Sequence, residues 1–243
     1  MCQMCLHGAS CVSKPSRRRF LLAASSMGIS LAGSALAKET KAPPKPQNLL
    51  SPDAALKRLL EGNERYVEGV TRRHDFKHER EALSRGQNPF AAILSCADSR
   101  IAPELCFDTA RGDVFVCRIA GNFASDDIVA SFEYAVQVLH SPLIMVLGHE
   151  ACGAVDATIK SIKDDTTLPG HLPALVTALS PAVKPVQGAP GDLLANSIRR
   201  NVTLNVERLK TTAPILKSFV DEKKINVVGG IYQLKTGRVE LLT

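Results

Sequence analysis

Two short stretches place reactive side chains directly after apolar runs. The first, CADSR, puts a thiol, a carboxylate and a guanidinium at alternate positions, Cys96, Asp98 and Arg100. The second, HEAC, holds His149 and Cys152 at H-x-x-C spacing. Thiolate sulfur and imidazole nitrogen together suit zinc, which binds four ligands tetrahedrally and keeps one position open in catalytic sites. The two stretches therefore predict zinc ligands at Cys96, His149 and Cys152, with the fourth position for water or for Asp98.

Each of these residues also has an ordinary structural explanation. A single buried cysteine is more often a small apolar side chain than a ligand. A single histidine at a strand end is more often hydrogen-bonded than metal-bound. In an oxidising compartment a disulfide between Cys96 and Cys152 is the main alternative to a metal site. Folding and metal loading before export would prevent that disulfide.

The elements that must position these residues follow from the apolar patterns. Strand and helix patterns alternate, which indicates an α/β fold with a mostly parallel central sheet flanked by helices. Active sites of such sheets lie beyond the carboxyl ends of the strands, where both motifs stand. A C-terminal hairpin turns at 235–237. The stretch 164–191 carries several Pro and Gly residues and gives no clear prediction of helix or strand. The predicted strands are 90–96, 114–120, 143–149 and 225–234; the predicted helices are 51–69, 128–139, 153–162 and two segments within 192–222.

The first 37 residues have the pattern of an export signal. Basic residues at 14–19 precede an apolar stretch at 20–36 and the small residues ALA at 35–37. Paired arginines followed by Phe-Leu are similar to twin-arginine signals, which export folded proteins. A Pro- and Lys-rich linker at 38–50 and one catalytic domain at 51–243 follow. We expect an exported protein, in the periplasm or an equivalent such as the thylakoid lumen, without a stable membrane span once the signal is removed.

The net charge gives no support for a nucleic-acid partner. The chain carries a formal charge of +6, but residues 1–37 contribute four basic residues and no acidic one. The remaining residues number 26 basic and 24 acidic. A nucleic-acid surface would need basic residues clustered on a folded face.

The combination of CADSR with HEAC and the following Gly153 resembles the C-x-D-x-R and H-x-x-C signatures of the β-class carbonic anhydrases. The similarity extends from the helix at Ser51 to the terminal hairpin and includes GQNP, RIAGN and EYAV. It implies reversible hydration of CO2 to bicarbonate and a proton, by attack of zinc-bound hydroxide. One zinc ion per chain would be held by Cys96, His149 and Cys152, with Asp98 as the exchangeable fourth ligand.

The resemblance also implies roles for residues around the metal. Asp98 and Arg100 would form a catalytic dyad in which Arg100 holds the carboxylate that aims the hydroxide. If Arg100 releases it, Asp98 would bind zinc and displace the water. The pocket of the family forms at a dimer interface, so Tyr134 would come from the partner subunit of a homodimer or homotetramer. The substrate contacts implied are Gln87, Phe115, Tyr134 and Gly153.

The chain departs from the family at two positions, and two other functions remain open. Ile93 stands where members regulated by bicarbonate carry Trp, so that regulation is not expected, and Ile119 replaces a frequent Asn. Hydrolysis of COS or CS2 on the same zinc site is one alternative function. A non-catalytic zinc-bearing structural or binding protein is the other, although a purely structural zinc site needs neither Asp98 nor Arg100.

Overall fold

The computed structural model describes residues 50–73 and 75–242. The expected signal peptide at 1–37 lies outside the described residues, as does the linker up to residue 49. Among the helices that are described, none has the length and apolar character that crossing a membrane requires.

One five-stranded sheet forms the centre of the domain. Its order is β2-β1-β3-β4-β5, and only β5 runs antiparallel to its neighbour. The predicted α/β fold with a mostly parallel sheet and a C-terminal hairpin is thus confirmed. The strands are β1 at Ala91–Ser95, β2 at Val114–Arg118, β3 at Leu143–His149, β4 at Asn226–Tyr232 and β5 at Val239–Leu242.

Eight α-helices flank the sheet within the described residues. The helix expected from Ser51 begins where predicted, because the Ser51 hydroxyl accepts the Ala54 N–H at 3.2 Å and Pro52 opens the first turn. The stretch left open at 164–191 contains α6 and a short 3-10 helix. The bounds are α1 Pro52–Val67, α2 Phe76–Leu83, α3 Pro103–Cys106, α4 Asp126–Gln137, α5 Gly153–Lys163, α6 Leu172–Val183, α7 Leu193–Thr211 and α8 Ile215–Asp221.

The central strands β1 and β3 are buried along their whole length. Alternate side chains of β1 enter two separate apolar layers, with Leu94 on one face and Ile93 on the other. Both faces are therefore covered, which is why these strands read as continuous apolar runs rather than alternating ones. This packing fixes the two strand ends from which the metal-site residues project.

Candidate metal centre

The ends of two neighbouring strands bring the predicted ligands together. Cys96 directly follows β1, His149 ends β3, and Cys152 precedes the first residue of α5. Because β1 and β3 are parallel and paired, their carboxyl ends lie at the same edge of the sheet. The sulfur and nitrogen ligand atoms of the three residues all lie within 4.8 Å of one another, and all three residues are buried.

The donor atoms of this cluster fit a zinc ion. The two Sγ atoms are 4.0 Å apart; sulfurs bound tetrahedrally at about 2.3 Å from zinc lie roughly 3.8 Å apart. His149 Nδ1 lies 2.8 Å from the Glu150 carbonyl, which fixes Nδ1 as the protonated nitrogen. The other nitrogen, Nε2, is buried without a hydrogen-bond partner among the described residues. A metal ion would satisfy this nitrogen and both sulfurs.

Both cysteines are free in the structure, so the alternative disulfide is not formed. The hydrogen bond from Cys152 lowers the pKa of Cys96 to about 4, with further help from His149 and from the Gly121 N–H, which donates to Cys96 Sγ at 3.3 Å. The same contact raises the pKa of Cys152, because a second buried negative charge beside the first is unfavourable. A divalent cation would remove that conflict and allow both sulfurs to be thiolates.

The Asp98 carboxylate lies beside the ligand cluster and is held by Arg100. Arg100 Nε donates to Oδ1 at 2.9 Å and Nη2 donates to Oδ2 at 2.7 Å, a bidentate pair. This hydrogen bonding holds the pKa of Asp98 well below its usual range. Oδ2 is also 3.9 Å from His149 Nε2. In this structure Asp98 therefore rests on Arg100, at the border of the site.

Arg118, which the sequence analysis missed, secures the segment that carries Cys96 and Asp98. It ends β2 and donates three hydrogen bonds to backbone carbonyls, those of Cys96 at 2.9 Å, Asp98 at 2.7 Å and Ile101 at 2.9 Å. In the sequence, Arg118 stands out only as the first residue of RIAGN, inside the strand predicted at 114–120. Arg118 is thus a positioning residue for the ligand and the dyad.

Two of the expected substrate residues lie apart from the ligand cluster within one chain. Gln87 is exposed and precedes β1, whose five residues span about 16 Å between it and the metal edge. Phe115 pairs in register with Ala92, four positions before Cys96.

The other two expected substrate residues, Tyr134 and Gly153, lie on different helices. Tyr134 packs against Phe115, with the ring centroids 6.3 Å apart. Only Gly153 stands beside the metal edge, as the first residue of α5 with open space around its Cα.

These features define a class of protein, an α/β protein with a buried Cys2His candidate metal site and an arginine-held aspartate. The family model for carbonic anhydrase matches residues 91–239. Carbonic anhydrase 2 of Mycobacterium tuberculosis is 38% identical over 192 residues, 79% of this chain and 93% of that protein. The chain therefore belongs to the carbonic anhydrase family, whose members interconvert CO2 and bicarbonate.

Two solved structures place the fold in the β class. The β-carbonic anhydrase of Coccomyxa in complex with acetazolamide has a TM-score of 0.60 and 26% identity, covering 77% of this chain and 86% of that one. A tetrameric β-carbonic anhydrase of Sordaria macrospora has a TM-score of 0.62 and 24% identity, covering 68% and 86%.

Zinc binding should release protons, because the metal-free site retains the proton of Cys152. We expect about one proton per zinc at a pH above the pKa of His149, rising towards about two once the pH falls below that pKa. Burial opposes protonation of His149, but the neighbouring Cys96 sulfur, the Glu150 carbonyl and the Asp98 carboxylate together outweigh burial and raise the pKa of His149. Zinc affinity should accordingly fall as the pH is lowered.

Calorimetric zinc titrations in buffers of different ionisation enthalpy measure this proton count. Cys106→Ser changes a buried cysteine outside the cluster and should leave it unaltered. A binding heat that is the same in every buffer would contradict the assignment.

Arg118→Lys keeps the positive charge at position 118 but should loosen the segment from Cys96 to Ile101. A lysine ammonium cannot reproduce the guanidinium fork that serves three carbonyls. We expect a loss of about 1–3 kcal/mol in the free energy of unfolding, together with weaker zinc binding. Urea unfolding and competition with a zinc chelator measure the two effects. Arg238→Lys, at an exposed position, is the control, and equal zinc affinity in the two variants would refute the role of Arg118.

Proposed function

We propose that the chain catalyses the reversible hydration of CO2 to bicarbonate at a zinc ion held by Cys96, His149 and Cys152. The observation that carries this proposal is the bidentate Asp98–Arg100 pair next to three ligand atoms that lie within 4.8 Å of one another. When bound, zinc lowers the pKa of water towards about 7 and makes hydroxide available near neutral pH. The nucleophile must then be oriented towards CO2, and the chain's own residues provide this orientation.

Asp98 can orient the nucleophile because three hydrogen bonds from Arg100 fix the position of its carboxylate. Oδ1 accepts both the backbone N–H and Nε of Arg100, each at 2.9 Å. Oδ2 accepts a single hydrogen bond, from Nη2, and faces His149. Since its pKa is lowered, Asp98 is ionised at working pH and acts as a hydrogen-bond acceptor rather than an acid. Oδ2 therefore has a lone pair with which to accept a hydrogen from the nucleophile and fix its aim.

Arg100 also links the dyad to the second ligand segment. Its Nη2 donates to the Ala151 carbonyl at 3.1 Å, between His149 and Cys152 along the chain. One guanidinium thus sets the position of Asp98 relative to the other strand end. Without Arg100, Asp98 would be free to move the short distance towards the ligand cluster and to block the open position.

Arg100→Ala should therefore abolish most of the activity and leave the metal in place. The substitution touches no ligand, so zinc content should stay near one per chain. Loss of the oriented acceptor should lower the CO2 hydration rate by about 100-fold. Stopped-flow hydration with zinc quantified in the same sample measures both.

Arg208→Ala is the matched control, since it removes another exposed arginine–aspartate pair, with Asp126. Full activity in Arg100→Ala would contradict the proposed role.

We further propose that a second copy of the chain completes the pocket. Within one chain Gln87, Phe115 and Tyr134 do not reach the ligand cluster. Tyr134 on α4 and Val138 directly after it expose 46% and 53% of their surface, beside the edge strand β2. An isologous dimer through this face would place residues of one chain at the site of the other. The Sordaria macrospora relative is tetrameric, which supports assembly of this kind.

Mixed dimers test this arrangement directly. A chain with Gln87→Ala keeps its own ligands and dyad, and a chain with Arg100→Ala keeps Gln87. If Gln87 acts across the interface, a dimer of the two contains one intact site and should recover about half of the wild-type rate. The two chains are co-expressed with different tags and purified through both. Activity no higher than that of either variant alone would show that the pocket does not combine two chains.

We also propose that the enzyme is exported in folded form. The basic cluster, apolar stretch and ALA site at 14–37 support this proposal. Lysines in place of Arg17 and Arg18 should retain the protein in the cytoplasm, whereas Arg19→Lys should not. Cell fractionation followed by immunoblotting measures the distribution, and unchanged export of the double variant would contradict a twin-arginine route.

A further inference from the structure

A second cavity lies on the far side of the loop that joins His149 to Cys152. It has a volume of about 330 Å³ and opens between the start of α7 and the β4–β5 hairpin. Its size falls within the range of small-molecule sites. The apolar part of its lining includes Leu194, Ile198 and Ile231, and Ala151 lies at its inner end. The metal ligands do not line it, so it is separate from the catalytic centre.

The charge of this cavity is opposite to that of the chain. Three carboxylates, Glu150, Asp192 and Glu240, line it with one guanidinium, Arg199. The lining therefore carries two net negative charges, whereas the chain as a whole carries +6. Arg199 already pairs with Glu240 at 3.0 Å. An apolar floor with surplus carboxylates around it suits an organic cation that carries an aliphatic part.

Each carboxylate also keeps an oxygen for a ligand. Glu150 uses Oε2 to accept the Leu234 N–H at 3.1 Å. Asp192 uses Oδ2 to accept the Ala195 N–H at 2.7 Å, as the N-cap of α7. Glu240 uses Oε1 for Arg199. Among the described residues the second oxygen of each makes no hydrogen bond, so an ammonium could bind without breaking these contacts.

The inner wall of the cavity is shared with the metal centre. Glu150 and Ala151 line the cavity, and their carbonyls serve the active site on the other side, at His149 Nδ1 and Arg100 Nη2 respectively. Ala151 has a φ of +50°, a left-handed conformation that its surroundings must hold in place. A ligand that engages Glu150 therefore acts on the loop that orients both His149 and Arg100.

We propose that this cavity is a second ligand site, for a small aliphatic ammonium compound, and that its occupation lowers the hydration rate through the Glu150–Ala151 loop. The proposal goes beyond the CO2 chemistry, because the binding step needs neither zinc turnover nor the dyad. An ammonium bound at the free oxygen of Glu150 shifts this residue towards the cavity, and with it the Glu150 and Ala151 carbonyls. Arg100 then loses its fixed carbonyl partner at Ala151.

Binding is tested first, with butylammonium as the probe and with butanol and butyrate as neutral and anionic controls. Titrations monitored by ligand-observed NMR use the full zinc-loaded chain. We expect saturable binding of butylammonium, and binding of butanol and butyrate that is much weaker. Equal binding of butanol or butyrate would overturn the ammonium assignment. Absence of butylammonium binding would overturn the site.

Variants locate the binding within the cavity. Asp192→Asn removes a charge but keeps an N-cap residue, and we expect affinity to fall about threefold. Ala195→Trp fills the cavity and should abolish binding. Glu207→Gln removes a charge from the same helix outside the cavity and should change nothing. Binding that persists in Ala195→Trp would place the probe elsewhere, for example at the metal, and would overturn the proposal even if Asp192→Asn behaves as expected.

The effect of ligand binding on catalysis is measured separately, as the CO2 hydration rate. Saturating butylammonium should lower the CO2 hydration rate of the wild-type enzyme by about fivefold and leave that of Ala195→Trp unaltered. An unchanged rate with confirmed binding would overturn the regulatory part alone. If the wild-type chain shows no hydration, the proposed function fails, and the NMR titrations still decide whether the site exists.

Discussion

Two buried sulfurs 4.0 Å apart are the constraint on which the rest of the site depends. A second thiolate beside the first is unfavourable because the two negative charges repel each other. Burial of both sulfurs makes the second charge more costly still. A dipositive ion resolves the conflict only if the sulfurs and the imidazole are held together before it arrives. The sheet does this, because the carboxyl ends of the neighbouring parallel strands β1 and β3 present Cys96 and His149 side by side. The turn after β3 then brings Cys152 back to them.

Two arginines convert this ligand cluster into a site that can orient a reactant. Arg118 reaches from β2 across to β1 and holds the carbonyls on either side of Asp98. Arg100 holds the Asp98 carboxylate itself and the loop after β3. Three adjacent strand ends are thereby fixed to one another through side chain to backbone contacts. A carboxylate that is restrained from both sides can act as an acceptor of defined direction without being a metal ligand.

The parts of the molecule that could be predicted are those with a local signature. The strand expected at 143–149 is β3 at Leu143–His149, because a strand buried on both faces is a continuous apolar run. The ligands were found because thiol and imidazole at strand ends are an uncommon combination. Arg118 escaped notice because its partners are backbone carbonyls, which leave no pattern in a sequence. The helix α6 escaped because Pro181 stands inside it and Gly and Pro flank it.

The position of the cysteine pair also bears on the proposed export, through the order of folding and metal loading. The thiols are free in the structure, yet they are near neighbours, so an oxidising compartment would act on any chain that arrived there without its metal. A zinc ion bound by both thiolates removes the nucleophile that disulfide formation needs. An unfolded chain cannot bind it in this way, because the ligands come from residues 96 and 149–152 and meet only when β1 and β3 pair. A route that exports the folded, zinc-loaded protein therefore suits this ligand set better than one that threads an unfolded chain.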